Sequence, residues 1–101
     1  MADEAVRLDV WLWRARFFKT RAQAAAKATE GHIRHARAGE ARRIDKASRT
    51  VKPGDELTFA IAGRIIAVRV TALGGRRGPA VEARALYVPL DAVDIAAGAH
   101  K

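Results

Sequence analysis

Between Leu8 and Gly31 the sequence specifies two short helices set nearly end to end, and any fold of this chain must be built around that pair. Leu8, Trp11, Leu12, Ala15 and Phe18 recur at the i, i+3, i+4, i+7 spacing of one buried helix face. The spacing predicts a helix from Arg7 to about Phe18 or Lys19, with Asp9 in its first turn, where a carboxylate suits the helix dipole. Thr20 then has the character of an N-cap, its hydroxyl able to accept from a backbone N–H two or three residues on. Residues 21–30 are rich in Ala, Gln and Lys, all good helix formers, and Gly31 suits the left-handed position just past a helix end. Almost no linker separates the two, which predicts a compact helix–turn–helix unit. The alanines at 22, 24, 25, 26 and 28 allow the second helix to approach its neighbours closely.

After Gly31 the period changes. Residues 1–6 read as a frayed end, His32-Ile33-Arg34-His35 as a short strand, and residues 36–43, with no strong period, as a charged loop. Pro53-Gly54 is a turn signal. Leu57, Phe59 and Ile61 alternate with smaller or polar residues, as do Ile66, Val68 and Val70 beyond Ala62-Gly63, which predicts a β-hairpin over 56–72. Residues 74–79 form a basic, glycine-rich loop, 81–88 a further strand, and 91–101 a short tail. The expected architecture is α+β: a helix–turn–helix pair packed on a small antiparallel sheet, followed by a hairpin and one more strand. With 101 residues and no repeat, a single domain over 1–101 is expected.

The charge is distributed unevenly. Residues 1–53 hold 13 Lys/Arg against 6 Asp/Glu, net +7, whereas residues 54–101 hold 6 against 5, net +1. A positive field confined to one half calls for a polyanion. A membrane surface fits less well, because the apolar face of the basic helix is needed for the core. The absence of cysteine excludes a disulfide framework and a thiolate metal site. No stretch reads as a secretory leader or a membrane span, so a soluble cytoplasmic protein is expected.

The block Arg7-Leu8-Asp9-Val10-Trp11-Leu12-Trp13-Arg14-Ala15-Arg16-Phe17-Phe18-Lys19-Thr20-Arg21 resembles the opening signature of the S-four RNA-binding domain, the alpha-L RNA-binding motif. Its paired Trp and its Arg-Phe-Phe-Lys-Thr-Arg run resemble more specifically the small ribosome-associated heat-shock proteins of the fifteen-kilodalton type. The resemblance continues through Ala24-Ala25, Gly31-His32-Ile33-Arg34, Asp45-Lys46-Ala47-Ser48 and Val51-Lys52-Pro53-Gly54-Asp55-Glu56-Leu57. It covers residues 7–59 as an RNA-binding core, with 60–90 as additional strands matching more loosely. It implies two helices on an antiparallel sheet, binding of structured RNA by the helices and the following turn, and association with the large ribosomal subunit, particularly one carrying a stalled nascent chain on tRNA. The chain departs from the family at His35 to Arg42, where a short basic insertion without an Asn-Gly pair replaces a Val-Asn-Gly-type turn. The long basic C-terminal extension of some members has no counterpart in residues 91–101.

RNA binding requires cations on one face, where phosphates are met together and counterions released. Arg14, Lys19, Arg21 and Lys27 are the candidates on the helices, and phosphate could also approach the free amides beside Thr20. Arg34, Arg42, Arg43, Lys46 and Arg49 extend the patch past Gly31, and Gln23 could reach a 2′-hydroxyl. Any single Arg or Lys on a helix is more often a solvated charge than a ligand contact, and Arg7 and Arg16 are placed to pair with Asp9 or Glu30 instead. Trp11 shares the stripe of Leu8 and Ala15, so it belongs to the core. Trp13 projects elsewhere, either to stack on a base or an Arg or, more commonly, to cover a second apolar surface.

Other chemistries have little support. His32 and His35 lack any metal-site pattern, and no metal or cofactor is expected. Gly74-Gly75-Arg76-Arg77-Gly78 lacks the GK[ST] of a phosphate-binding P-loop. No nucleophile–base grouping suggests an enzyme. The leading expectation is a non-catalytic RNA-binding protein whose partner is ribosomal RNA or the large subunit, with tRNA also open. A DNA-binding helix–turn–helix protein is an alternative, although Gln23 stands alone among alanines where a groove reader would place several polar residues. A detached RNA-binding accessory of an RNA-modifying enzyme is another, since 101 residues leave no room for a catalytic domain.

Overall fold

Leu8, Trp11 and Leu12 are fully buried along one face of the first helix, as their spacing predicts. The computed structural model describes residues 4–90. Residues 91–101, read from the sequence as a tail, lie outside them. A two-residue strand β1 (Val6–Arg7) leads directly into α1 (Leu8–Arg14). Val6 is not frayed: it lies opposite Val51 in a small antiparallel ladder, and the Leu8 amide donates to the Arg49 carbonyl at 2.7 Å.

Helix α1 ends earlier than the stripe predicts. Arg16 adopts a left-handed conformation (φ 67°), and the amides of Arg16 and Phe17 donate back to the carbonyls of Trp13 and Leu12, both at 3.1 Å. This is a Schellman closure, a helix end usually given to glycine. A side chain there costs about 1–2 kcal/mol, and the Arg16 Nε–H offsets part of it by donating to the Gly78 carbonyl at 2.7 Å. Phe18 therefore leaves the helix. The segment 15–20 turns Phe17 and Phe18 onto the sheet, with ring centroids 5.2 Å and 6.2 Å from that of Phe59. The expected near-absence of a linker is thus corrected to a short linker that is itself core.

Helix α2 (Arg21–Thr29) begins and ends as predicted. The Thr20 hydroxyl accepts from the Gln23 amide at 3.0 Å, and Gly31 takes φ +79° past the last turn. Ala24 and Ala28 are buried, and their small size lets α2 pack closely.

Strand β2 (Ile33–Arg37) pairs with β3 (Glu40–Ile44) around Ala38 (φ 53°) and Gly39 (φ 84°). The charged loop expected over 36–43 is therefore a β-hairpin. Two consecutive left-handed residues make a type I′ turn, whose twist matches that of the flanking strands. Strand β3 is a sheet edge with residues 40–43 exposed and only Ile44 buried, so its sequence carries no alternation. Its charges also suit an edge that must not recruit another strand.

The chain then passes through β4 (Thr50–Val51), partner of β1, into β5 (Glu56–Ile61) and β6 (Arg64–Val70). These two form the predicted hairpin, closed by Ala62 (φ 52°) and Gly63 (φ 80°). The strand expected over 81–88 divides into a helical turn α3 (Ala80–Arg84) and a short β7 (Tyr87–Pro89). Pro79 caps an alanine-rich stretch that buries Ala83 inward, and only Tyr87 to Pro89 reach register with β6.

The main sheet has the order β3-β2-β5-β6-β7, antiparallel throughout, with α1 and α2 over one face. The α+β architecture is thus as expected. Trp11, Ile33, Leu57, Phe59, Val68 and Val70 form the interior, each contributing about 1.5–3 kcal/mol by burial. The Trp11 indole N–H is satisfied by the Ala72 carbonyl at 2.9 Å, tying α1 to the segment after β6.

Candidate nucleic-acid interface

The cap of α2 draws several of the candidate residues together. Thr20 accepts from Gln23, and the Gln23 carbonyl oxygen in turn accepts from the Lys19 amide at 3.2 Å. This reciprocal cap accounts for the acceptor groups of Thr20 and Gln23 and leaves the Gln23 amide nitrogen without a partner among the described residues. Arg21 is exposed beside it. Lys19, Gln23 and Lys27 rim an open cleft of about 460 Å³ whose floor includes Phe17, Phe18 and Ile61.

A second cationic group surrounds the β2–β3 hairpin. Arg34 and Arg43 lie directly opposite each other and share one face of the sheet, and Arg43 runs beside Gly31 at the end of α2. Arg42 and Arg49 line a cavity of about 440 Å³ together with His35 and Arg37. Arg43, Lys46 and Arg49 line a smaller one of about 230 Å³, so Arg49 belongs to both.

Beneath the larger cavity lies a buried polar network. His35 is 1% exposed, and its Nε2 lies 2.7 Å from a carboxylate oxygen of Asp55. The Arg49 Nε–H donates to the His35 Nδ1 at 3.3 Å, so Nδ1 is the acceptor and Nε2 carries the hydrogen shared with Asp55. Asp55 also accepts from the Arg37 Nε and Nη2 at 3.0 and 2.9 Å and from the Lys52 amide at 2.9 Å. Burial pushes the Asp55 carboxyl up, but the hydrogen bonds from Arg37, His35 and Lys52 outweigh it and hold it below the ordinary aspartate value. The same hydrogen bonds to Asp55 raise Arg37.

Arg14 stands apart from both groups. Its Nη1 donates to the carbonyls of Gly74 (2.7 Å) and Leu73 (3.3 Å), and it lines a separate cavity with Gly74, Gly75 and Arg76. Arg7 pairs with Asp9 at 3.0 Å, whereas Arg16 binds the Gly78 carbonyl rather than an acid. Trp13 is half-buried under the Arg77 guanidinium, 5.9 Å from the ring centroid, while the Arg77 Nε–H donates to the Trp13 carbonyl at 3.0 Å. His32 lies near Glu30 on the surface and His35 is buried against Asp55, so the two do not converge. Sequence reasoning missed Arg37 and the roles of His35 and Asp55. Strand parity would have placed His35 and Arg37 on the face of Ile33, but residues 36–43 gave no strand period from which to count.

No family model matches the chain. A heat shock protein 15 homologue of Haemophilus influenzae is 38% identical over 89 residues, covering 86% of this chain and 63% of the relative. Heat shock protein 15 of Escherichia coli K12 is 39% identical over 82 residues, covering 81% of this chain and 58% of the relative. The chain thus spans about three fifths of the length of these relatives. A solved structure of Vibrio cholerae heat shock protein 15, described as trimeric, superposes with a TM-score of 0.77 at 31% identity, covering 88% of this chain and 85% of that one. Shared sequence over most of the chain and a shared arrangement of helices and strands place the protein in the heat shock protein 15 family.

Proposed function

We propose that this protein is a non-catalytic, cytoplasmic RNA-binding protein whose partner is ribosomal RNA of the large subunit, and that it acts in ribosome rescue or recycling under heat stress. The observation that carries the proposal is the pairing of two cationic groups, one at the start and along α2 (Lys19 just before its cap, Arg21 and Lys27 on it) and one around the β2–β3 hairpin (Arg42, Arg43, Lys46, Arg49), with Arg43 lying beside the end of α2. A duplex or hairpin backbone meets several such side chains at once and releases counterions in proportion. The aromatic floor between Lys19 and Lys27 suits RNA, whose unpaired bases stack on planar side chains. The DNA reading is weaker: the Gln23 carbonyl is engaged by the Lys19 amide, and its neighbours Ala22 and Ala26 offer a groove no hydrogen bonds. The heat-stress setting rests on the names of the relatives.

Co-sedimentation with separated ribosomal subunits at near-physiological salt, with duplex DNA as competitor, tests this. Migration with the large subunit despite the competitor is expected. Failure to bind either subunit, or capture by the DNA, would overturn it.

A further inference from the structure

The cavity of about 440 Å³ at the β2–β3 hairpin has an inner wall fixed by buried hydrogen bonds and an outer rim of uncommitted donors. We propose that it is a seat for a single phosphate group, bound by Arg37, Arg42 and Arg49, with His35 and Asp55 as positioning residues. That the phosphate belongs to RNA rests on the function proposed above; the seat itself does not.

Arg37 and Arg49 are each anchored through Nε. Arg37 gives Nε and Nη2 to Asp55, with Nη2 also 3.2 Å from the Thr50 carbonyl, and Arg49 gives Nε to His35. Among the described residues, the Arg37 Nη1 and both terminal amines of Arg49 make no hydrogen bond. Anchoring at Nε removes rotamer freedom before any ligand arrives, which lowers the entropic cost of binding. Arg49 is left with its Nη1–Nη2 edge, the fork that matches two phosphate oxygens, and Arg37, whose Nη2 is committed to Asp55 and Thr50, adds a single donor from Nη1.

Arg42 completes the rim. Among the described residues its only ionic neighbour is Glu40 at 3.8 Å, both largely exposed, and a pair of that kind holds a side chain weakly. Asp55 does not line the cavity: it is 2% exposed and lies beneath His35 and Arg37. An incoming anion therefore meets three guanidiniums and one lining carboxylate, Glu40, which is largely exposed and screened by solvent. Asp55, His35 and Arg37 suffice to hold the hairpin; the terminal amines of Arg49 add nothing to that network and are left for a ligand. His35 acts through Arg49: its Nδ1 fixes the Arg49 Nε, and Asp55 fixes the His35 tautomer by accepting from Nε2.

The test is titration of the purified chain with inorganic phosphate, followed by NMR at the arginine Nε–H groups. Those of Arg37 and Arg49 should shift and saturate, while that of Arg64, exposed at the far β5–β6 turn, should not. Arg42→Gln removes no buried contact, so it should fold normally and weaken phosphate binding about ten-fold. Arg49→Gln should abolish the response at Arg37. Equal shifts at Arg64, Arg37 and Arg49, or phosphate affinity unchanged by Arg42→Gln, would overturn the seat. A short unphosphorylated RNA that displaces the phosphate would identify a backbone phosphodiester as the natural occupant; displacement only by the 5′-phosphorylated RNA would identify a terminal monoester. Loss of RNA binding altogether would defeat the proposed function but leave the phosphate titration to decide the seat.

Discussion

His35 and Asp55, from β2 and the turn before β5, meet at 2.7 Å in the interior, and each is almost wholly withdrawn from solvent. Two side chains with polar ends occupy a core position because every acceptor between them is met, by Arg37, Arg49 and the Lys52 amide. The arrangement ties the basic hairpin to the central strand β5.

Acid should therefore weaken the fold through Asp55. Its folded-state pKa lies below that of the unfolded chain, so the stabilisation is fully present above the ordinary value of about 3.9 and is lost as pH falls through the lowered one. Urea midpoints measured from pH 6 downward should hold until the ordinary aspartate value is reached and then fall between it and the lowered one. In Asp55→Asn the drop should flatten, and stability at neutral pH should be lower by about 2 kcal/mol, the scale of hydrogen bonds to a charged group.

The two tryptophans should behave differently. Trp11 is fully buried with its N–H bonded to Ala72, so Trp11→Phe strands a carbonyl and opens a void; a loss of about 2–3 kcal/mol is expected. Trp13 is half-exposed beneath Arg77, and Trp13→Leu should cost about 1 kcal/mol, near the value of one cation–π contact. Equilibrium unfolding by tyrosine fluorescence or circular dichroism distinguishes them.

Ala38 occupies a left-handed position that alanine adopts reluctantly (φ 53°). Ala38→Asn creates an Asn-Gly pair with Gly39, the preferred type I′ sequence, and should raise stability by about 0.5–1 kcal/mol. The urea midpoint should rise with an unchanged slope. A fall would show that the turn is not of this type.

Arg21 projects from the first turn of α2 with no hydrogen bond among the described residues. Arg21→Glu should leave the fold intact and reduce RNA affinity about ten-fold or more, and the log–log salt slope of the parent, about −3.5 to −5 if five or six phosphates are met, should become shallower. Unchanged affinity with unchanged circular dichroism would remove Arg21 from the interface.

The sequence alone determined the elements whose signals are local. Thr20 and Gly31 bracket α2 because a cap and a left-handed glycine act within one turn, and the alternation of Leu57, Phe59 and Ile61 with Ile66, Val68 and Val70 predicts β5 and β6 because one face of each is buried. It also confined the positive charge to the first half and carried the family resemblance. The tertiary structure decided what depends on distant partners. Helix α1 stops at Arg14 because Arg16 is held left-handed by Gly78, a residue 62 positions away. Strand β3 forms because β2 supplies its hydrogen bonds, while its exposed side chains record no period. Arg37, His35, Asp55 and Arg49 converge only when β2, β5 and the segment before β4 are brought together. The energetics of each lone residue favour water, and only burial of its neighbours makes the hydrogen-bonded group the lower state.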